Sequence, residues 1–285
     1  MKKINLHRDF SSTDKLDQFP EIEIHYSVSE NNVWENLLHQ MDKPKVHHFA
    51  ISRNLLFRVA AAASILIIFS VTGFLRLYTR TIYVPAGQHL TYLLPDNSKV
   101  EMNAQSVVSY HPYWFSVARA ITLDGEAFFT VQKGPGFKVV SKLGETSVFG
   151  TSFNIYSSDN DYSVTCFTGK VRVVSTGRNE RVLLNPNEKA FITKDGFLRV
   201  AQEVNTKIVK SWRDNMFVFT SSPIVTVLQE IERQYNIKIK FQANPGLTYT
   251  GNFSRSLSGK EVLDLVCTSL GIKFDAKSDT VYLVN

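Results

Sequence analysis

Three kinds of hydrophobic patterning follow one another along the chain. Residues 1–30 mix charges and serines with few aliphatics, which predicts little packed structure beyond a short strand over IEIHYSV, Ile22 to Val28. In SENNVWENLLHQM, Val33, Trp34, Leu37, Leu38 and Met41 recur at helical spacing behind Ser29 as cap, and Lys43-Pro44 ends the helix. Then LLFRVAAAASILIIFSVTGFL runs from Leu55 to Leu75 with Arg58 as its one charge. As a helix it is about 32 Å long, against a bilayer core of about 30 Å. A buried helix of a soluble protein needs a polar face, and residues 59–71 offer two serines. The pattern predicts a membrane span over 55–78.

From Ile82 to about Val200 the period shortens to two. Strands are expected at 90–94, 99–103, 118–123, 126–131, 137–141, 146–150, 152–157, 162–167, 170–175, 181–185 and 189–193. Turn chemistry separates them at Pro95 to Ser98, Asp124-Gly125, Gly134-Pro135-Gly136, Thr168-Gly169 and Pro186-Asn187. Such spacing without helices predicts an all-β domain over 81–205: a sandwich, a jelly roll or a β-helical stack. Residues 206–285 change pattern again. MFVFT is a strand, then SPIVTVLQEIERQY a helix capped by Ser222 with Pro223 at its first position and Ile224, Val227, Leu228, Ile231 and Tyr235 on one face. IKIKF and YTGNFS are strands, SGKEVLDLVCTSLG is a helix with Ser258 as its cap and Gly271 at its C-terminus, and IKFDA and VYLV close the chain. The order βαβ-βαββ predicts a small α+β domain.

Charge alters the picture at one place. The net charge is +6, but residues 1–54 are net −1, 55–80 net +3, 81–205 net +1 and 206–285 net +3. Half of the excess brackets the apolar stretch, so there is no single basic face of the kind that binds nucleic acid. Lys43, Lys45, Arg53 and Arg58 precede the span and Arg76 and Arg80 follow it, which predicts a cytoplasmic N-terminus. The layout is then a single-pass protein with a short inner tail (1–54) and a large outer portion.

Candidate chemistry is sparse. There is no phosphate-binding loop, nucleophile elbow or paired-histidine zinc motif, so no catalytic role is expected and no metal or cofactor is implied. His47-His48 have no further ligands beside them and read as linker histidines. Asp124 and Glu126, two apart, could form an acid–base pair, but they read as a turn Asp and a strand-start Glu. Cys166 and Cys267 read as small buried residues, with an interdomain bond open in an oxidising compartment.

The blocks VPAGQHLTYLLPDNSKVEMNAQS, ITLDGEAFFTV, FKVVSKLGETSVFGTSFNIYS, VTCFTGKVRVV and LLNPNEKAF, over 84–193, resemble the periplasmic domain of FecR-like anti-sigma factors. ITLDGEAFF matches the family's LxGEAxF core and VFGTSFN its VxGTxFN core. Pro95-Asp96-Asn97 stands where the family has Pro-Asp-Gly; Asn tolerates positive φ, so the turn can persist. The stretch from Trp212 to Phe241 resembles the Bacteroidetes-type C-terminal domain, similar to the short N-terminal domain of secretins and TonB-dependent receptors. The resemblance implies an inner-membrane regulator that relays a signal from a TonB-dependent outer-membrane transducer to an extracytoplasmic-function sigma factor. It implies contacts to sigma through Trp34, Leu37 and Leu38, on a helix that by its own pattern reads equally as lying on the inner leaflet or continuing toward the span, and to the transducer through Phe217, Phe219, Tyr249 and Phe253. Some family members cleave themselves at a Gly–Thr bond, here Gly150-Thr151. The tail is shorter than the helical bundle many members use to grip sigma, which leaves a weak or activating contact open. The alternative reading is an envelope module that binds a periplasmic protein or glycan with no transcriptional role.

Overall fold

A computed structural model describes residues 27, 29–41, 52–158, 161–242 and 244–285. The expected strand at Ile22 to Val28, the Lys43-Pro44 stop and His47-His48 lie outside or almost wholly outside these residues. The chain separates into a unit Met1–Ala61 and a unit Ala62–Asn285.

Helix α1 (Glu30–Met41) starts where predicted, with the Ser29 carbonyl accepting from the amides of Asn32 and Val33 at 2.9 and 3.2 Å. Its apolar residues, Val33, Trp34, Leu37, Leu38 and Met41, are all exposed. Helix α2 (Arg53–Leu77) has 25 residues, about 37 Å by helical rise. Its most apolar 18-residue window has mean hydropathy 2.2, and none of that window is buried. A core helix of a soluble protein would be covered; this one is long and apolar enough to cross a bilayer and bare along its length.

Two residues, Tyr78 and Thr79, separate α2 from β1 (Arg80–Tyr83). The β region follows as β2 (Leu90–Leu93), β3 (Lys99–Met102), β4 (Val107–Tyr110), β5 (Arg119–Thr130), β6 (Phe137–Val140), β7 (Gly144–Val148), β8 (Ser152–Ser158), β9 (Asp161–Thr168), β10 (Val171–Ser175), β11 (Arg181–Leu184), β12 (Lys189–Ile192) and β13 (Leu198–Ala201). The long strand β5 organises them. Its first half pairs with β4 and β6, in a sheet ordered β1-β4-β5-β6-β7-β10-β11. Its second half pairs with β3 and β8, in a sheet ordered β2-β3-β5-β8-β9-β12-β13. Both sheets face one apolar core, where Phe129 and Phe153 stack at 5.0 Å and neither is exposed.

Asp124-Gly125 is therefore not a turn between two strands. Gly125 has φ 106, and that kink lets one continuous strand leave the first sheet and enter the second. The expected turn at Pro95 to Ser98 is present: Asn97 takes φ 62 and the Leu94 amide donates to the Ser98 carbonyl at 2.9 Å. The Asp96 carboxylate accepts from the Ser98 amide and hydroxyl and from the buried Arg119 guanidinium.

After β13 come a short helix α3 (Thr206–Val209) and a 3-10 turn, Ser211–Asp214, that buries Trp212. Strand β14 (Met216–Pro223) leads into α4 (Ile224–Tyr235), then β15 (Lys238–Phe241), β16 (Thr248–Ser254), α5 (Gly259–Leu270), β17 (Phe274–Ser278) and β18 (Val281–Val284). The order is βαβ-βαββ. β14 pairs with β16, while β15, β18 and β17 form a second small sheet. The apolar stripes of α4 and α5 pack on these strands in a core separate from the first. Ser258 caps α5 and forms a capping box with Glu261, and Gly271 ends the helix at φ 67. The cap of α4 differs from expectation. Pro223 holds the cap position, because β14 continues past Ser221 through a bulge and Ser222 is paired with Tyr249.

Candidate functional site

The two cores of the unit Ala62–Asn285 meet across a seam that is polar and mostly buried. Helix α4 supplies Glu230, Arg233 and Gln234, one stripe at spacing three and four beside its apolar face. Arg255 follows β16. The β region supplies His89, Asn103, Glu126, Asn154 and Tyr156. Gln234 Nε2 donates to Asn103 Oδ1 at 2.8 Å and to Glu230 Oε1 at 3.0 Å. Asn103 and Asn154 each donate a side-chain N–H to the Glu126 carboxylate, at 2.7 and 2.9 Å. Arg233 pairs with Glu230 and donates to the Tyr156 hydroxyl at 2.9 Å. Arg255 pairs with Glu230 at 3.3 Å and donates to His89 Nε2 at 2.7 Å, which requires a neutral His89 with its proton on Nδ1. A second clamp lies on the flank. Arg213 grips both oxygens of Glu101, at 2.6 and 2.9 Å, with its guanidinium 3.9 Å from the centre of the Phe128 ring.

The seam's two carboxylates are driven apart in acidity. Burial, and then the negative charge of Glu230, push Glu126 up to about 7, against the two asparagine N–H groups and Arg233 that favour its ionised form. Burial also works to raise Glu230, but Arg233 and Arg255 outweigh it and hold this carboxyl below its ordinary range. Burial and then Arg255 lower His89, in keeping with its acceptor role. Beside this network lies a cleft of about 640 Å³ with Glu126, Lys189, Trp212, Phe219 and Arg233 in its walls.

The residues marked from sequence fall into distinct environments. Trp34, Leu37 and Leu38 lie on α1, exposed by 57, 44 and 55%. Phe217, Tyr249 and Phe253 are buried and Phe219 is half-buried, so all four pack in the C-terminal core and little of them faces a partner. Gly150 and Thr151 join β7 to β8, with Gly150 at φ 142 and Thr151 buried, its hydroxyl without a hydrogen-bond partner. Asp124 is exposed, whereas Glu126 lies mid-strand in the seam rather than at a solvated strand start. Cys166 and Cys267 are both free and buried. Among the described residues no cluster of three or more His, Cys, Asp or Glu is positioned to hold a metal ion. The seam itself escapes a sequence reading. Its one trace is the Glu-x-x-Arg-Gln run of α4, which looks like an ordinary solvated face.

The model of a family described as FecR protein matches residues 80–172, and that described as FecR, C-terminal matches residues 216–283. Two crystal structures of a candidate anti-sigma factor from Parabacteroides distasonis are similar to this chain. Each is 28% identical with a TM-score of 0.66, and the matches cover 73% and 72% of this chain and 98% of theirs. No curated protein matches it.

Proposed function

The chain belongs to the FecR family, and from that membership we propose that it is a single-pass inner-membrane anti-sigma regulator. Its tail faces the cytoplasm and contacts an extracytoplasmic-function sigma factor. Its β region and C-terminal module face the periplasm and receive the signalling domain of a TonB-dependent outer-membrane transducer. The observation that carries this reading is the order of parts. A helix with an exposed apolar stripe precedes a bare 25-residue apolar helix, and two docked modules matching both FecR models follow. The greater number of basic residues flanking the N-terminal end of the apolar stretch, Lys43, Lys45, Arg53 and Arg58 against Arg76 and Arg80, supports the orientation.

The transducer is received by backbone pairing at a sheet edge. β17 pairs only with β18 among the described residues, and four of its five side chains are exposed, which suits strand addition. The aromatic residues Phe217, Phe219, Tyr249 and Phe253 then act by holding the module's shape. On the inner side Trp34, Leu37 and Leu38 supply an apolar stripe for a groove on sigma.

Tagged full-length chain, purified from membranes in mild detergent, is expected to bring down a sigma factor identified by mass spectrometry. Trp34→Ala is expected to cut that recovery about 30-fold, the loss typical of a buried aromatic hot spot. Purification free of any sigma factor sinks the reading.

Self-cleavage is a further part of the proposal. The Thr151 hydroxyl attacks the Gly150 carbonyl carbon, the C–N bond breaks, and the acyl group moves to oxygen and frees the Thr amine; water then hydrolyses the ester. The positive φ of Gly150 and the unpartnered Thr151 hydroxyl support it. Denaturing electrophoresis of the purified chain is expected to give two fragments, and one full-length band for Thr151→Ala. A single full-length band from the unaltered chain excludes cleavage.

A further inference from the structure

The connection from β4 to β5 leaves the β region at the level where α2 ends. Arg80, the first residue of β1, is paired with Tyr110, the last of β4, and only Tyr78 and Thr79 separate β1 from α2. The chain leaving β4 therefore emerges beside the last turn of α2. There it forms a 3-10 turn, Pro112–Trp114, docked on that helix end. The rings of Tyr113 and Tyr78 lie 5.5 Å apart, and Tyr78 in turn meets Phe74 at 5.7 Å. The Arg76 guanidinium sits 5.1 Å from the Trp114 ring centre. His111 Nδ1 lies 3.1 Å from the Tyr78 carbonyl and 3.2 Å from the Thr79 hydroxyl.

The turn is anchored from within and apolar without. Phe115 is 1% exposed, packed edge-on against Tyr110 and Phe137. Its neighbours face away from the core: Tyr113 is 58% exposed and Val117 69%, while Trp114 is half-buried. In a soluble loop such residues have no reason to be held outward by a buried anchor. At a bilayer they have one. From Arg58 to Arg76 the helix rises about 27 Å, close to the thickness of the hydrocarbon core, so Arg76 stands at its edge. Side chains level with Arg76 and Tyr78 then lie among the lipid headgroups, the layer where Tyr and Trp are enriched. Arg76 and Arg80 add positive charge at the same level for lipid phosphates.

We infer that the turn 111–117 is seated in the headgroup layer of the bilayer, giving the β region a second membrane attachment through Tyr113, Trp114 and Val117. The inference rests on α2 spanning the membrane, and the test separates the two. Full-length chain with Cys166→Ala and Cys267→Ala is reconstituted in phosphatidylcholine–phosphatidylglycerol nanodiscs. It carries one introduced cysteine, Val117→Cys or Ile68→Cys, labelled with a fluorophore. Nitroxide-bearing lipids then quench the label from the headgroup or from mid-chain.

The label at 117 is expected to be quenched about twofold more by headgroup nitroxide than by mid-chain nitroxide, and the label at 68 the reverse. Adding Tyr113→Ser and Trp114→Ser is expected to remove at least about half of the quenching at 117 and leave 68 unchanged. If 68 is quenched and 117 is not, the attachment is wrong and the span stands. If neither is quenched, the span fails and the attachment with it. Disulfide-linked dimers of the unlabelled Val117→Cys chain, together with no lipid quenching of the labelled chain at 117, assign the surface to a second copy and overturn the inference.

Discussion

Glu230→Ala is expected to destabilise the unit that holds the seam by about 3–5 kcal/mol, the usual cost of removing one partner from a buried ion network. Among the described residues Glu230 is the only carboxylate paired with both Arg233 and Arg255, and the three side chains are exposed by only 14, 18 and 9%. Without it both guanidiniums lose their carboxylate in a largely buried site. Arg255 already has a buried Nε–H with no partner, and Gln234 loses one of its two acceptors. Urea unfolding of the full chain in detergent, followed by tryptophan emission, measures the loss; Trp212 lies beside the seam as a reporter. An unchanged midpoint means the arginines are solvated and the seam is not a buried network.

The same substitution changes the response to pH. Glu126 is raised from its ordinary 4.5 to about 7 in the folded chain. Between those values the folded state keeps a proton that the unfolded state has lost. The stability this group contributes is complete below about pH 4.5 and is lost as pH rises through 7. Glu230 runs the other way: its carboxyl is lowered, so its contribution is present above pH 4.5 and is lost as pH falls through the folded value. Glu230→Ala removes the repulsion that helps hold Glu126 up. The fall in stability from pH 5 to pH 8 is therefore expected to be shallower in the variant. An equal or steeper fall contradicts the coupling.

Gly125→Ala is expected to cost about 3 kcal/mol or more, from a backbone conformation that L-residues avoid together with overpacking. At φ 106 an added Cβ would stand 2.5 Å from Ser106 Oγ and 2.7 Å from its Cα. Ser106 cannot withdraw, because its hydroxyl accepts from the Glu126 amide at 2.9 Å and donates to the Glu126 carbonyl at 3.0 Å. The damage is not confined to one sheet. β5 passes between sheets at this residue, and Glu126 follows it immediately. Thermal unfolding and protease resistance report the loss, and native values for both refute it.

That glycine also marks where the sequence reading stops. Asp-Gly between two alternating runs is the ordinary signature of a hairpin. Here the same backbone freedom bends one strand, because β3 and β4 arrive from elsewhere to pair with its two halves. Patterns whose cause is local were legible: the stripes of α4 and α5, the Ser258 cap, the Asn97 turn and the apolar length of α2. The seam was not. Gln234 meets Asn103 across 131 positions of sequence, and nothing near either residue signals the other. Phe217, Phe219, Tyr249 and Phe253 enter the sequence reading only as transducer contacts implied by the family resemblance. The two strands that carry them lie against two helices, and the face they share is the covered one.

The seam also bears on how quiet this regulator is when no signal arrives. If the modules must part to transmit, the fraction found parted at rest is a leak, and the ion network sets its size. At a tenfold change per 1.4 kcal/mol, removing Glu230 raises that leak about 10²- to 4 × 10³-fold if the cost falls on docking. An incoming partner has to prefer the parted state by a comparable factor to override it. Buried charge at this junction, a poor source of raw stability, is well suited to keeping a resting signal close to zero.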